Sequence, residues 1–147
     1  MSDVNLKLVI ATARLYNSMF SKIEKNVQGF GLSLSEFGVL EMLYHKGEQP
    51  VQKIADKILV TSGTITYVIN QLQKRDLVYR KNCKKDKRVF YVCLTVKGEN
   101  LITEVFPKHK EYLCKLFHGL EDTHKVETME HLFHLQDVIN HNKEDYS

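Results

Sequence analysis

Residues 61–95 read TSGTITYVINQLQKRDLVYRKNCKKDKRVFYVCLT. Projected on a wheel advancing about 100° per residue, Ile65, Val68, Ile69 and Leu72 fall on one side. Gly63, Tyr67, Asn70 and Lys74 fall on the other, flanked by Ser62, Thr64, Thr66 and Gln71. The inner side is branched and apolar. The outer side is small, hydroxylated or amidic, with one cation and no acidic residue from Val60 to Arg75. An ordinary surface helix carries more Glu and Lys, whereas a face without carboxylates can approach phosphates without repulsion. The helix is expected to run from a cap at Thr61 or Ser62 to about Arg75. Two β-like runs follow, Leu77–Asn82 and Val89–Thr95, joined by a polar, basic turn.

The chain on either side completes the pattern. Ser33-Leu34-Ser35-Glu36 offers a capping box for a helix with Phe37, Leu40, Leu43 and Tyr44 inward, ended by Gly47. Pro50 suits the first turn of a short third helix with Val51, Ile54, Ala55 and Ile58 inward. Before these, Leu6, Val9, Ala13, Tyr16, Phe20, Ile23 and Val27 step by three and four, predicting a long helix over 5–29 stopped by Gly29 and Gly31. After the hairpin, a helix from Thr95 or Val96 to about Gly119 holds Pro107, which should kink it. A last helix spans about 121–141.

The fold class is therefore mostly α with a small β-hairpin wing. It is a winged helix-turn-helix over 33–95, with flanking helical regions over 1–32 and 96–147 that form one continuous unit with it. In such motifs the second helix of the pair enters the major groove. Asn70 suits adenine, a Thr methyl suits thymine, and amides near Ser62 and Gly63 could hold a phosphate.

Charge placement agrees. The 147 residues carry a formal net charge of only +3. Yet residues 74–88 hold eight basic residues against two acidic ones, a net +6, while 119–147 hold two against seven, a net −5. A local basic patch beside a helix free of carboxylates is the footprint of a nucleic-acid reader. At the turn, Lys84, Lys85 and Lys87 are placed to touch phosphates. Arg88 is placed to enter a narrow minor groove, with Asp86 two residues before it to fix its fork.

Asp86-x-Arg88 followed by Leu94-Thr95-x-x-Gly98 resembles the wing signature of the MarR family of bacterial regulators. Thr61-Ser-Gly-Thr-Ile-Thr-Tyr-Val-Ile-Asn-Gln-Leu72 is similar to that family's recognition helix, and the likeness covers nearly the whole chain. Within the family, Glu36-Phe-Gly-Val-Leu-Glu-Met-Leu-Tyr-His-Lys-Gly47, Gln49-Pro50 and Ile65-Thr-Tyr-Val68 look most like the methylhydroquinone-responsive repressors of Gram-positive bacteria. The resemblance implies a homodimer with interleaved terminal helices, a pseudo-palindromic double-stranded DNA operator, and repression relieved by a small ligand. Asp76 departs from the family, many members having Gly there.

The resemblance also places an effector pocket between the dimer helices and the DNA-binding lobe. Tyr16, Phe20, Phe37, Tyr44, His45, Phe106, His109 and Tyr112 are the residues that could line it, and aromatic walls with a few polar tips suit a planar phenol or quinone. Independently of the family, Leu113, Leu116, Phe117, Leu132, Phe133 and Ile139 are more apolar surface than a small winged helix can cover, which also points to a dimer.

Other classes find less support. No GxSxG, HExxH, P-loop or dinucleotide fingerprint occurs, so an enzyme is not expected and no cofactor is required. A winged helix used only for protein contacts would show a weak salt dependence on DNA. Peroxide sensors of the family use a cysteine in the first helix, and no cysteine precedes Cys83 here. Cys83, beside Arg80, Lys84 and Lys85, is the candidate for a redox sensor on the same scaffold. Cys114-x3-His118 and His131-x2-His134 have helical ligand spacings and are the candidates for a metal-responsive sensor on that scaffold, but they lack a complete ligand set, so no metal is expected. No apolar run approaches the roughly 20 residues of a membrane span. The start, Met1-Ser2-Asp3-Val4, lacks a secretory pattern, and the three cysteines lack scaffold spacing. A cytoplasmic protein is expected.

Overall fold

A computed structural model describes residues 3–58 and 62–142, and for Ser62 and Gly63 the backbone only. Six helices and three short strands follow one another as α1 (Val4–Gln28), α2 (Leu34–Lys46), β1 (Gln49–Pro50), α3 (Val51–Ile58), α4 (Ser62–Lys74), β2 (Val78–Asn82), β3 (Phe90–Leu94), α5 (Val96–Leu116) and α6 (Asp122–His141). The chain divides between Tyr112 and Leu113 into two compact units.

In the first unit, local chemistry sets the helix ends. Glu36 N–H donates to Ser33 Oγ at 3.1 Å and Ser33 N–H to Glu36 Oε1 at 2.9 Å, the reciprocal capping box. Gly47, at φ 76°, ends α2 in a conformation that disfavours a side chain. α4 ends in a Schellman motif, with Leu77 N–H bonded to Leu72 C=O at 3.0 Å and Asp76 N–H to Gln73 C=O at 3.0 Å. Asp76 takes the left-handed position, φ 59°.

One core unites these elements. Leu40 and Leu43 of α2, Ile54 of α3, Ile69 and Leu72 of α4, and Val92 of β3 are buried in it. Val27 at the end of α1 and Ile102 and Val105 of α5 belong to the same cluster, so the winged lobe shares its core with both flanking helices. α5 continues through Pro107.

The sheet order is β1-β3-β2, all antiparallel. β2 and β3 form the wing, from Val78 opposite Leu94 to Asn82 opposite Phe90. Two expectations need correction. Pro50 lies not in the first turn of α3 but in β1, where Gln49 and Pro50 pair with Val92 and Tyr91. An edge strand accepts a proline because one side of it needs no donor. Tyr44 is not on the buried face of α2. It is 38% exposed, whereas Val39, on the other flank of the helix, is fully buried.

The Leu94-Thr95-x-x-Gly98 segment fastens the wing to α5. Thr95 Oγ1 donates to Asp76 C=O at 2.6 Å and accepts from Gly98 N–H at 2.9 Å. Thr95 N–H donates to Leu77 C=O at 3.1 Å. A Cβ at position 98 would lie 1.9 Å from the Leu77 carbonyl oxygen, so only glycine fits.

Within this unit α1 buries only Val27, while Leu6, Val9 and Tyr16 of its apolar stripe are more than half exposed. The second unit holds the last residues of α5, a turn with Gly119 at φ 92°, and α6. α6 has no buried residue, and Leu132, Phe133 and Ile139 are exposed. No helix among the described residues is long and apolar enough to cross a membrane.

Candidate nucleic-acid interface

α4 turns Ile65, Val68, Ile69 and Leu72 into the core. That packing leaves Thr64, Thr66, Tyr67, Asn70 and Lys74 on the exposed face. The expected contacts of the Ser62 side chain, and the alternative cap at Thr61, lie outside the described residues, and the amides at Ser62 and Gly63 expected to hold a phosphate belong to the start of α4.

The wing turn presents its cations outward: Lys84, Lys85, Lys87 and Arg88 are all exposed. It is closed by Cys83 N–H to Val89 C=O at 2.9 Å and Val89 N–H to Asp86 C=O at 3.0 Å. Asp86 holds Arg88 from both ends. The Arg88 backbone N–H reaches Asp86 Oδ1 at 3.0 Å, and Nε reaches the same oxygen at 3.2 Å. These bonds, the backbone one foremost, keep the Asp86 carboxyl below its ordinary range. The Arg88 side chain stays 91% exposed, so the pair restricts the fork without burying it. In water such a pair adds little stability. Its consequence is orientation.

Three of the basic residues in 74–88 are used inside the molecule, the first being Lys81, whose Nζ pairs with Glu48 Oε2 at 3.3 Å. Arg75 Nη1 donates to Gly31 C=O at 2.8 Å and approaches Glu36 Oε2 at 3.4 Å, tying the end of α4 to the start of α2. Arg80 crosses from β2 to α4, donating Nη2 to Asn70 Oδ1 at 2.6 Å and Nη1 to Gln73 Oε1. The +6 of the sequence patch is thus offset where Glu36 and Glu48 pair with Arg75 and Lys81, while Arg80, bound to neutral amides, keeps its charge beside α4. Arg80 is a site residue that the sequence reading missed; ten residues separate it from Asn70, and no local pattern links them. It lines two shallow depressions. One, of about 480 Å³, is bounded by Tyr67, Asn70, Gln71 and Lys74. The other, of about 390 Å³, lies between Thr66, Gln52 and the wing residues Arg88 and Phe90.

The aromatic residues proposed as a ligand pocket fall into separate groups. Phe37 and His109 rings lie 4.6 Å apart, His45 and Phe106 4.7 Å, and Tyr44 and Phe106 5.9 Å, joining α2 to α5. His109 is buried, with Nδ1 2.8 Å from Asn26 Oδ1. Burial lowers its pKa and favours the neutral ring. Tyr112 donates its hydroxyl to Lys22 C=O at 3.1 Å. Tyr16 and Phe20 pack against each other along α1 with their rings tilted, 4.8 Å apart.

Of the thiols, Cys83 is half-buried, Cys114 exposed and Cys93 buried. Burial pushes the Cys93 thiol up, and it donates to Glu48 Oε2 at 3.4 Å. No group of three or more His, Cys, Asp or Glu side chains able to hold a metal occurs among the described residues.

Comparison with known proteins gives the chain's family and fold. Residues 32–90 match the model of the MarR family. The chain is 45% identical over 122 residues to the HTH-type transcriptional regulator MhqR of Bacillus subtilis strain 168, covering 83% of this chain and 84% of that protein. Its fold superposes on AbsC, a MarR family transcriptional regulator from Streptomyces coelicolor, with a TM-score of 0.85 at 19% identity, covering 97% and 98% of the two chains. It also superposes on reduced AbfR bound to DNA, with a TM-score of 0.74 at 22% identity, covering 92% and 94%.

Proposed function

The chain belongs to the MarR family and is a DNA-binding transcriptional regulator; from that premise we propose that it acts in the cytoplasm as a homodimeric repressor of a pseudo-palindromic operator, released by a small phenolic or quinone-type ligand. The observation that carries the reading is the pairing of an α4 face free of carboxylates with an exposed, Asp86-held Arg88 on the wing. A helix with that face can enter a major groove, and a guanidinium at that height can enter the adjacent minor groove. The exposed lysines of the turn supply phosphate contacts, which add affinity and salt dependence.

The exposed stripes on α1 and α6 support a second copy as partner, because two such helices leave apolar area that water disfavours. A symmetric dimer sets its two recognition helices about 34 Å apart, one turn of DNA. The α2–α5 aromatic cluster is the proposed receptor for the ligand. A planar ring inserted there can release DNA only by favouring a dimer whose recognition helices no longer match that spacing.

The test is a salt titration of binding to a duplex carrying the sequence upstream of the chain's own gene. Lys85→Ala should weaken specific and random DNA alike and flatten the salt slope by about one unit. Arg88→Ala should abolish tight binding. Wild-type affinity in both variants would remove the wing from the interface.

A further inference from the structure

We propose that Arg80 decides which base Asn70 reads, turning an adenine-type side chain into a reader of guanine. The inference rests on the DNA-binding reading above. Asn70 lies on the exposed face of α4, and its Oδ1 accepts from Arg80 Nη2 at 2.6 Å. The other nitrogen of the same fork serves Gln73 Oε1, one helical turn further on. A guanidinium has donors only, so both amides must turn their carbonyls toward it. One lone pair of Asn70 Oδ1 is then taken by a cation, which weakens that oxygen as an acceptor for a second partner, while the Nδ2 hydrogens can still donate.

Adenine presents an acceptor, N7, beside a donor, the N6 amino group, and an asparagine reads it by accepting and donating at once. With a guanidinium on Oδ1, the N6 amino group would meet an acceptor already drawn toward a cation, with the donors of Arg80 beside it, so its hydrogen bond is poorly replaced on leaving water. Guanine presents N7 and O6, two acceptors side by side, which suit a surface dominated by the donors of Asn70 Nδ2 and the Arg80 guanidinium. Arg80 reinforces the preference, because its guanidinium borders the depressions on both sides, the α4 face and the wing side. Two held acceptors make Arg80 a positioning residue for Asn70.

The experiment selects binders of the full chain from duplexes with a randomised core, then measures competition between selected duplexes that differ at one base pair. Wild type, Asn70→Ala, Arg80→Met and Arg80→Lys are compared. The position read by Asn70 is the one whose preference disappears in Asn70→Ala. At that position wild type should favour guanine over adenine by about tenfold, and Arg80→Met should reverse the order toward adenine. Arg80→Lys, with one ammonium in place of a fork, should shift in the same direction by less, and serves where Arg80→Met does not fold. Three results overturn the proposal: adenine preferred by wild type at that position, a preference unmoved by either Arg80 substitution, or an Arg80→Met that weakens every duplex alike with a flatter salt slope. Those leave the regulator reading standing. Selection that enriches no sequence overturns both.

Discussion

Single residues in this molecule are held by neighbours that either leave no alternative or impose a measurable cost. Gly98 is an example of the first. A methyl group there meets the Leu77 carbonyl oxygen at 1.9 Å, and backbone must move to admit it. Gly98→Ala should destabilise by roughly 3 kcal/mol or more, read by urea unfolding. Asp76 is an example of the second. It occupies a left-handed position at φ 59°, and its side chain contributes no hydrogen bond to the Schellman turn. Asp76→Gly should stabilise by about 0.5–1 kcal/mol in the same assay, and unchanged or lower stability would assign the Asp76 carboxylate a role beyond the cap. The thiols divide by the same physics. Cys93 is buried with its pKa raised, so a maleimide at neutral pH should label Cys114 and Cys83 well before it. Equal labelling would mean that the wing opens from its native pairing.

At the scale of elements, what could be read from the sequence was what is local. The Ser33–Glu36 box, the Gly47 stop and the two faces of α4 depend on residues three or four apart, and the structure has them as expected. β1 escaped because two residues carry no period, and Pro50 before an apolar run reads equally well as a helix start. The partners of Arg75 and Arg80 escaped because they depend on how α4 is packed against the α1–α2 turn and β2, which charge counting ignores. Tyr44 was misplaced because it lies in the last turn of α2, where its ring packs against His45 and Phe106 but stays partly open to solvent. His109 carries an element-scale consequence. Burial lowers its pKa from 6.5, so the unfolded chain binds a proton more readily than the folded one. Its neutral form contributes stability above the unfolded value, and that stability is lost as pH falls below it. Wild type should therefore lose more in Tm between pH 7.5 and 5.5 than His109→Gln does. Equal losses would show that protonation of this ring is accommodated without cost.

The whole molecule is legible only in part from one chain. The winged lobe closes a core of its own with both flanking helices, whereas α1 and α6 carry apolar stripes that the single chain leaves exposed. Sequence periodicity announced those stripes but could not name what covers them. If a second copy does, light scattering should give twice the 17.1 kDa chain mass, and Phe133→Glu, on an α6 side chain 65% exposed, should shift the mass toward one chain while the fold persists. A dimer unaffected by that charge would move the interface elsewhere. The central claim, a ligand-released reader of a specific operator, is tested most directly by fluorescence anisotropy. The labelled duplex carries the region upstream of this chain's own gene, random DNA competes, and 2-methylhydroquinone is present or absent. The account predicts tight binding that random DNA does not displace and that the compound releases. Own-gene and random duplexes bound equally weakly, with or without the compound, would contradict it.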